Sequence, residues 1–185
     1  MINEITKSTE ERLRKSAEAV RQQMASIRSG KATTSLLDGI KVEYYGTQTP
    51  LNQVATLSAP EPRLIIIQPW EKTVVDEINK AIQASNLGLN PQVDGQIIRI
   101  PIPPLSEERR RELAKHVKDM AENGKVAMRN IRRDANDELK KAEKEKLISE
   151  DQMHDGLKRV QELLDKYTAK VDEITKDKEQ ELMEV

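Results

Sequence analysis

All eight prolines of this chain, Pro50, Pro60, Pro62, Pro69, Pro91, Pro101, Pro103 and Pro104, fall between residues 31 and 104. Proline lacks the backbone N–H and its ring clashes with the preceding helical turn, so long helices are open to the flanks and closed to the middle. Five of the seven glycines lie between Gly30 and Gly95. Charge divides at the same borders: 13 of the 74 residues in 31–104 are Asp, Glu, Lys or Arg, against 50 of the remaining 111. The pattern predicts a helical rod made of residues 1–29 plus 105–185. Residues 31–104 form an inserted domain, with connections at 29–31 and 101–105.

In the first flank Leu13, Ala17, Val20, Met24 and Ile27 recur at alternating steps of four and three, the spacing of a heptad seam. Met153, Leu157, Val160, Leu164, Tyr167, Val171 and Ile174 repeat that spacing in the last. The start of this last helix is marked in the sequence. Ser149 and Gln152 have the spacing of a capping box, Glu150 and Asp151 suit the positive end of the helix dipole, and Ile148 can staple to Met153. Between the two seams, Ser106, Glu107 and Glu108 open a helix expected over 106–146, roughly 60 Å long. Its buried side is read as Leu113, Val117, Met120, Ala127, Ile131, Ala135, Leu139 and Ala142, with Gly124 as a local weak point. None of these helices can bury its seam alone, and a three-helix bundle is the simplest arrangement that serves all three.

The inserted segment has a different period. Ile40, Val42 and Tyr44 alternate with Lys41 and Glu43 before a turn at Gly46-Thr47, which is a strand and hairpin signal. Leu64–Ile67 is a short apolar strand between Pro62 and Pro69. Val74, Val75, Ile78, Ala81 and Ile82 fit a short helix stopped near Leu87-Gly88-Leu89-Asn90-Pro91, and residues 96–100 return as a strand. The fold class expected is α+β: an elongated three-helix bundle with an inserted small β/α/β domain. Gly30 in Ser29-Gly30-Lys31 can act as a pivot, while the prolines of Pro101-Ile102-Pro103-Pro104 stiffen the other connection.

Composition narrows the function. The formal net charge is −1, so affinity for a polyanion has to come from local clustering. There is no cysteine, which removes disulfides, thiol catalysis and Cys-ligated zinc together and agrees with a reducing cytoplasm. No apolar run approaches the about 18 residues of a membrane span, and the N-terminus lacks the pattern of a secretory leader.

One surface feature carries more information. With Ile131 taken as facing the core, Arg111, Lys118, Lys125 and Arg132 fall at about 160°, 140°, 120° and 100° around the helix, and Arg129 returns at about 160°. Five cations would line a strip about 60° wide and roughly 30 Å long, extended by Asn136. Asp134 and Asp137 point elsewhere, and only Glu122 approaches its edge. The plain alternative is a solvated face laced with i,i+4 pairs. Against it, one sign persists through three consecutive seven-residue steps. Arg28, at the end of the first helix, adds a cation near the connection. A straight basic strip without interleaved aromatics suits duplex or folded RNA, or another polyanion, gripped by phosphate contacts, whereas single-strand readers need stacking platforms.

Catalytic signals fail. Gly30-Lys31 resembles the tail of a phosphate loop, but Ala25 and Ala32 stand where glycine and Ser/Thr are needed. His116 and His154 lie on helices without a neighbouring acid-and-nucleophile arrangement, and no His/Asp/Glu cluster has metal-ligand spacing. The expectation is no enzyme, no cofactor and no metal. Tyr44, Tyr45 and Trp70 are read as core or rim of the small domain, with a protein-docking patch as the alternative. Two rival classes stay open: a coiled-coil adaptor or chaperone, and, more weakly, an RNA hydrolase using paired carboxylates.

Six motifs in order then carry a resemblance: Arg28-Ser29-Gly30-Lys31-Ala32, residues 35–40 (SLLDGI), residues 42–46 (VEYYG), Gly88-Leu89-Asn90-Pro91, residues 99–110 (RIPIPPLSEERR) and residues 129–137 (RNIRRDAND). Together they resemble bacterial ribosome recycling factor over the whole chain. The resemblance implies an L-shaped two-domain protein that binds the post-termination ribosome across the tRNA sites of the 50S subunit, on 23S rRNA. With elongation factor G and GTP it would split the subunits and release mRNA and tRNA. It further implies a cytoplasmic monomer without a membrane partner. Arg129, Arg132, Arg133 and Arg28 would contact rRNA, with the hinge at Gly30, Lys31, Pro103 and Pro104. The chain departs from the family at Lys31, where Arg is common, and at Thr34, where Pro is frequent.

Overall fold

The computed structural model describes residues 1–184; Val185, expected to close the rod, lies outside them. In chain order the elements are α1 (Ile2–Ala25), β1 (Lys41–Tyr44), β2 (Thr47–Pro50), β3 (Ala55–Glu61), β4 (Leu64–Pro69), α2 (Val75–Ala84), β5 (Gln92–Asp94), β6 (Ile97–Pro101), α3 (Glu107–Lys144) and α4 (Glu150–Met183). They divide into two compact units, Met1–Arg28 with Glu107–Glu184, and Ser29–Ser106.

In the first unit each long helix packs on the other two. α1 buries Ile5, Thr9, Leu13, Ala17, Val20 and Met24, continuing the expected seam toward the N-terminus. Thr9 is tolerated there because its hydroxyl donates to the Ile5 carbonyl at 2.7 Å, which leaves no orphaned polar atom in the seam. α4 begins with a complete capping box. The Gln152 N–H donates to Ser149 Oγ at 3.1 Å, and the Ser149 N–H donates to Gln152 Oε1 at 2.9 Å. Ile148 and Met153 both join the apolar cluster of Ile5, Leu139, Ala142 and Val160 at that end.

The turn before it is also self-specified. Lys146 adopts the left-handed conformation at φ 60°. Its N–H donates to the Glu143 carbonyl at 2.8 Å, and the Leu147 N–H donates to Ala142 at 2.9 Å. Those two bonds form a Schellman stop.

The expected buried side of α3 needs correction. Ala127 is exposed and Met120 only half-buried; Ala121, Gly124 and Met128 take their places beside Leu113, Val117, Ile131, Ala135, Leu139 and Ala142. The true core direction lies about 40° around the helix from Ile131, because α3 faces two partner helices and Ile131 sits at one border of its buried face. Gly124 is a packing site. A Cβ built there would run into Val20 Cγ2, and one built at Gly156 of α4 would stand 2.8 Å from Leu139 Cδ2. Glycine at these two positions lets the helices approach closely.

The second unit holds the antiparallel hairpin β1–β2 and a four-stranded antiparallel sheet in the order β3-β4-β6-β5. The hairpin turn is Tyr45-Gly46, with φ of 47° and 76°, and Thr47 already pairs with Tyr44. Positive φ at both central residues identifies a type I′ turn, one residue earlier than expected. On the central strands Ile65 faces Ile100 and Ile67 faces Ile98. Ile78 and Ile82 of α2 share their core, and all six side chains are fully buried. Each such burial contributes roughly 2 kcal/mol, so the domain holds together without a phenylalanine. Strands β3 and β5 were not anticipated. β3 carries Pro60, which is accommodated because the strand lies at the sheet edge and its pairing slips between Ser58 and Glu61.

Candidate nucleic-acid interface

The cations predicted to form a strip all lie on α3, and α4 runs along one side of that strip. Lys125 forms an ion pair with Asp172 of α4 and is only 25% exposed. Arg132 Nη1 donates to Oε1 of Gln161, also on α4, at 3.0 Å. On the opposite flank Arg12 of α1 pairs with Asp134 at 2.7 Å, which accounts for the acid on that side. Lys125 and Arg132 therefore stand at the border of the α3/α4 groove, as the 40° offset of the core requires.

The others reach further into solvent. Arg129 is 46% exposed and holds Glu122 at 2.7 Å, so the acid expected at the edge is in direct contact. Arg111 is exposed and paired with Glu107 one turn earlier at 2.5 Å. Lys118 and Arg133 are exposed, as is Arg28. Among the described residues none of these three has an ion pair. By helix geometry Lys115 and Lys140, both exposed, continue the outer face that Arg133 occupies, and the seven-residue count from Arg111 passes over them. Asn136 is half-buried, and its Oδ1 has no partner.

Exposed pairs such as Arg129–Glu122 are worth at most about 1 kcal/mol, so a phosphate can displace the carboxylate at small cost. Guanidinium groups also offer paired donors to phosphate oxygens. The arrangement can therefore bind a polyanion along α3 without rearranging the helix, and Lys125, held by Asp172 and half-buried, is the least available member.

At the connections, the Ala32 N–H donates to the Pro62 carbonyl at 2.7 Å and the Ile102 N–H to Arg63 at 2.8 Å. Both chain segments are thus tied to the turn between β3 and β4, and any pivot lies outside Ala32 and Ile102. Gly30 has φ 79°, and a Cβ there would stand 2.8 Å from Leu105 Cγ. Pro103 and Pro104 are exposed.

Tyr45 and Trp70 are rim residues, 80% and 63% exposed. Tyr44 and Tyr45 both donate to Glu71, at 2.6 and 3.1 Å. The hydrogen bond to that carboxylate pushes the Tyr44 hydroxyl up to about 12. His116 and His154 are exposed on their helices, and among the described residues no group of three His, Cys, Asp or Glu side chains could hold a metal ion. Nor is any helix long and apolar enough to cross a membrane.

Comparison with known proteins bears on the whole chain. Residues 20–183 match the family model described as ribosome recycling factor. The chain is 54% identical to the ribosome-recycling factor of Bacillus licheniformis and 52% identical to that of Chloroflexus aurantiacus, in each case over all of both chains. Among solved structures it resembles a solution structure of ribosome recycling factor, with TM-score 0.69 and 40% identity over 100% of this chain and 98% of that one. It also resembles the T. thermophilus factor in models with E. coli elongation factor G bound to the E. coli post-termination complex, with TM-score 0.61, 44% identity and 98% of each chain covered. A family match across nearly the entire sequence, on a fold of the same architecture, establishes that this chain belongs to the ribosome recycling factor family.

Proposed function

We propose that this protein binds the post-termination ribosome through 23S rRNA of the 50S subunit, across the tRNA sites. Acting with elongation factor G and GTP, it then separates the subunits so that mRNA and tRNA leave. The observation that carries the reading is the row of cations on α3, in which Lys118, Arg129 and Arg133 face solvent on one stiff helix. Arg28, Arg111, Lys125 and Arg132 complete the rRNA contacts in this reading. The related factor found with elongation factor G on a post-termination complex supports the partners. GTP hydrolysis is the partner's work; this chain acts as a cytoplasmic monomer that anchors and transmits.

The hinge in this reading comprises Gly30 and Lys31 on one connection and Pro103 and Pro104 on the other. Its support is the pair of hydrogen bonds that pin Ala32 and Ile102 to the β3–β4 turn, leaving the residues outside them to turn.

The test is co-sedimentation with 50S subunits across a salt series. Replacing Arg129 and Arg133 together by Glu should weaken binding by at least about two orders of magnitude and lower the salt slope by roughly 1.5, since each phosphate contact contributes about 0.7–0.9. The thermal midpoint should stay within a few degrees, because neither side chain is buried. Undiminished binding, or binding indifferent to salt, would overturn the proposal.

A further inference from the structure

Three of the five cations in the strip, Arg111, Lys125 and Arg129, each touch a carboxylate, and among the described residues Lys118 touches none. Arg132 differs. Its one hydrogen-bond partner among the described residues is the neutral amide of Gln161, whose Oε1 accepts from Nη1 at 3.0 Å. The same amide donates from Nε2 to Asp165 Oδ1 at 2.8 Å, one turn further along α4.

This chain of contacts has one consistent orientation. A flipped Gln161 amide would set its NH2 group against a guanidinium, which has only donors, and its oxygen against a carboxylate, which has only acceptors. Asp165 therefore fixes the amide, and the amide fixes the guanidinium at the mouth of the α3/α4 groove. A direct carboxylate would hold Arg132 as firmly but would neutralise it, and an incoming phosphate would then have to displace an anion. An amide restrains the side chain while leaving the charge, and the other guanidinium N–H groups, to the ligand.

We infer that Gln161, oriented by Asp165, is a positioning residue for RNA binding: it pre-orders Arg132 toward a phosphate without neutralising it. The inference rests on the reading of α3 as the rRNA-binding face. Preordering removes from the binding step the entropy of fixing a long side chain, of order 1 kcal/mol, which corresponds to about fivefold in affinity.

Four proteins decide the matter, each measured for 50S co-sedimentation against salt and for thermal midpoint: Arg132→Ala, Gln161→Ala, Gln161→Glu and the double Arg132→Ala/Gln161→Ala. Arg132→Ala should weaken binding and reduce the salt slope by about one phosphate contact. Gln161→Ala should weaken it about fivefold with an unchanged slope, since no charge is lost. In the double variant the Gln161 change should add nothing. Gln161→Glu, nearly the same size, should weaken binding more than Gln161→Ala and lower the slope, because it neutralises Arg132. A merely structural role would instead track the thermal midpoint and would not separate Ala from Glu by slope. Additive losses in the double variant, or wild-type binding by both Gln161 variants, overturn the inference while leaving the α3 reading intact. Wild-type binding by Arg132→Ala together with the Arg129/Arg133 reversal removes both.

Discussion

Gly124→Ala puts two well-measured effects in opposition. Alanine is the better helix former by about 1 kcal/mol, and the site is in the middle of a 38-residue helix, so an isolated α3 would gain. In the bundle the new methyl group runs into Val20 Cγ2. Val20 is 3% exposed, and in a helix its branched side chain has essentially one rotamer, so it cannot swing away. Overpacking of this kind costs about 1–3 kcal/mol, and a rigid obstacle belongs at the upper end. The net expectation is a loss of about 2 kcal/mol, which lowers the midpoint of a unit this size by roughly 5–10 °C.

Urea and thermal unfolding followed by far-ultraviolet circular dichroism, which the long helices dominate, measures it. The decisive comparison uses Val20→Ala as background. There the methyl has room, and Gly124→Ala should stabilise by about 1 kcal/mol, reversing its sign. A gain in the wild-type background, or the same sign in both, would refute the account of Gly124 as a close-approach site.

Two further outcomes follow from the same structure. Ser149→Ala removes the acceptor for the Gln152 N–H and opens the capping box, and should cost about 1 kcal/mol in the same unfolding assay, with no change in 50S binding. Glu10 of α1 accepts from Lys166 at 3.1 Å and from Tyr167 at 3.2 Å. The Lys166 contact foremost, then Tyr167, lowers its carboxyl below the ordinary 4.5. A depressed carboxylate contributes stability that is fully present above 4.5 and is lost as pH falls below it. Glu10→Gln should therefore flatten the acid side of the stability profile measured by urea unfolding, and an unchanged profile would show that the contact is electrostatically idle.

Much of this molecule is legible in its sequence because its signals are local. The heptad spacing of α1 and α4, the Ser149–Gln152 box and the proline border each depend on residues a few positions apart. What escaped depends on residues far apart. A wheel drawn for α3 alone, centred on Ile131, carries no information about the two helices that flank it, so it puts Ala127 inside and leaves Met128 out. The same wheel shows Arg132 and Lys125 as free cations, because Gln161 and Asp172 belong to another helix. β3 was hidden by Pro60, whose exclusion from strands relaxes at an edge, and that edge exists only once the sheet is assembled. Tyr45 masked its own turn, since bulky residues rarely take positive φ.

The insertion between α1 and α3 has a consequence for how the chain comes into being. α1 is synthesised first, yet the surfaces that cover Ile5, Leu13, Val20 and Met24 begin only at Glu107 and Glu150. At roughly 5–20 residues per second that seam waits on the order of ten seconds, in the company of the translating machinery, before its partners emerge. Meanwhile the contiguous small domain can close on itself, and α3 and α4, joined by a turn stopped and restarted by their own residues, can zip together locally. A nascent chain that ends short of α4 therefore carries the apolar seam of α1 without the full set of surfaces that bury it in the finished bundle.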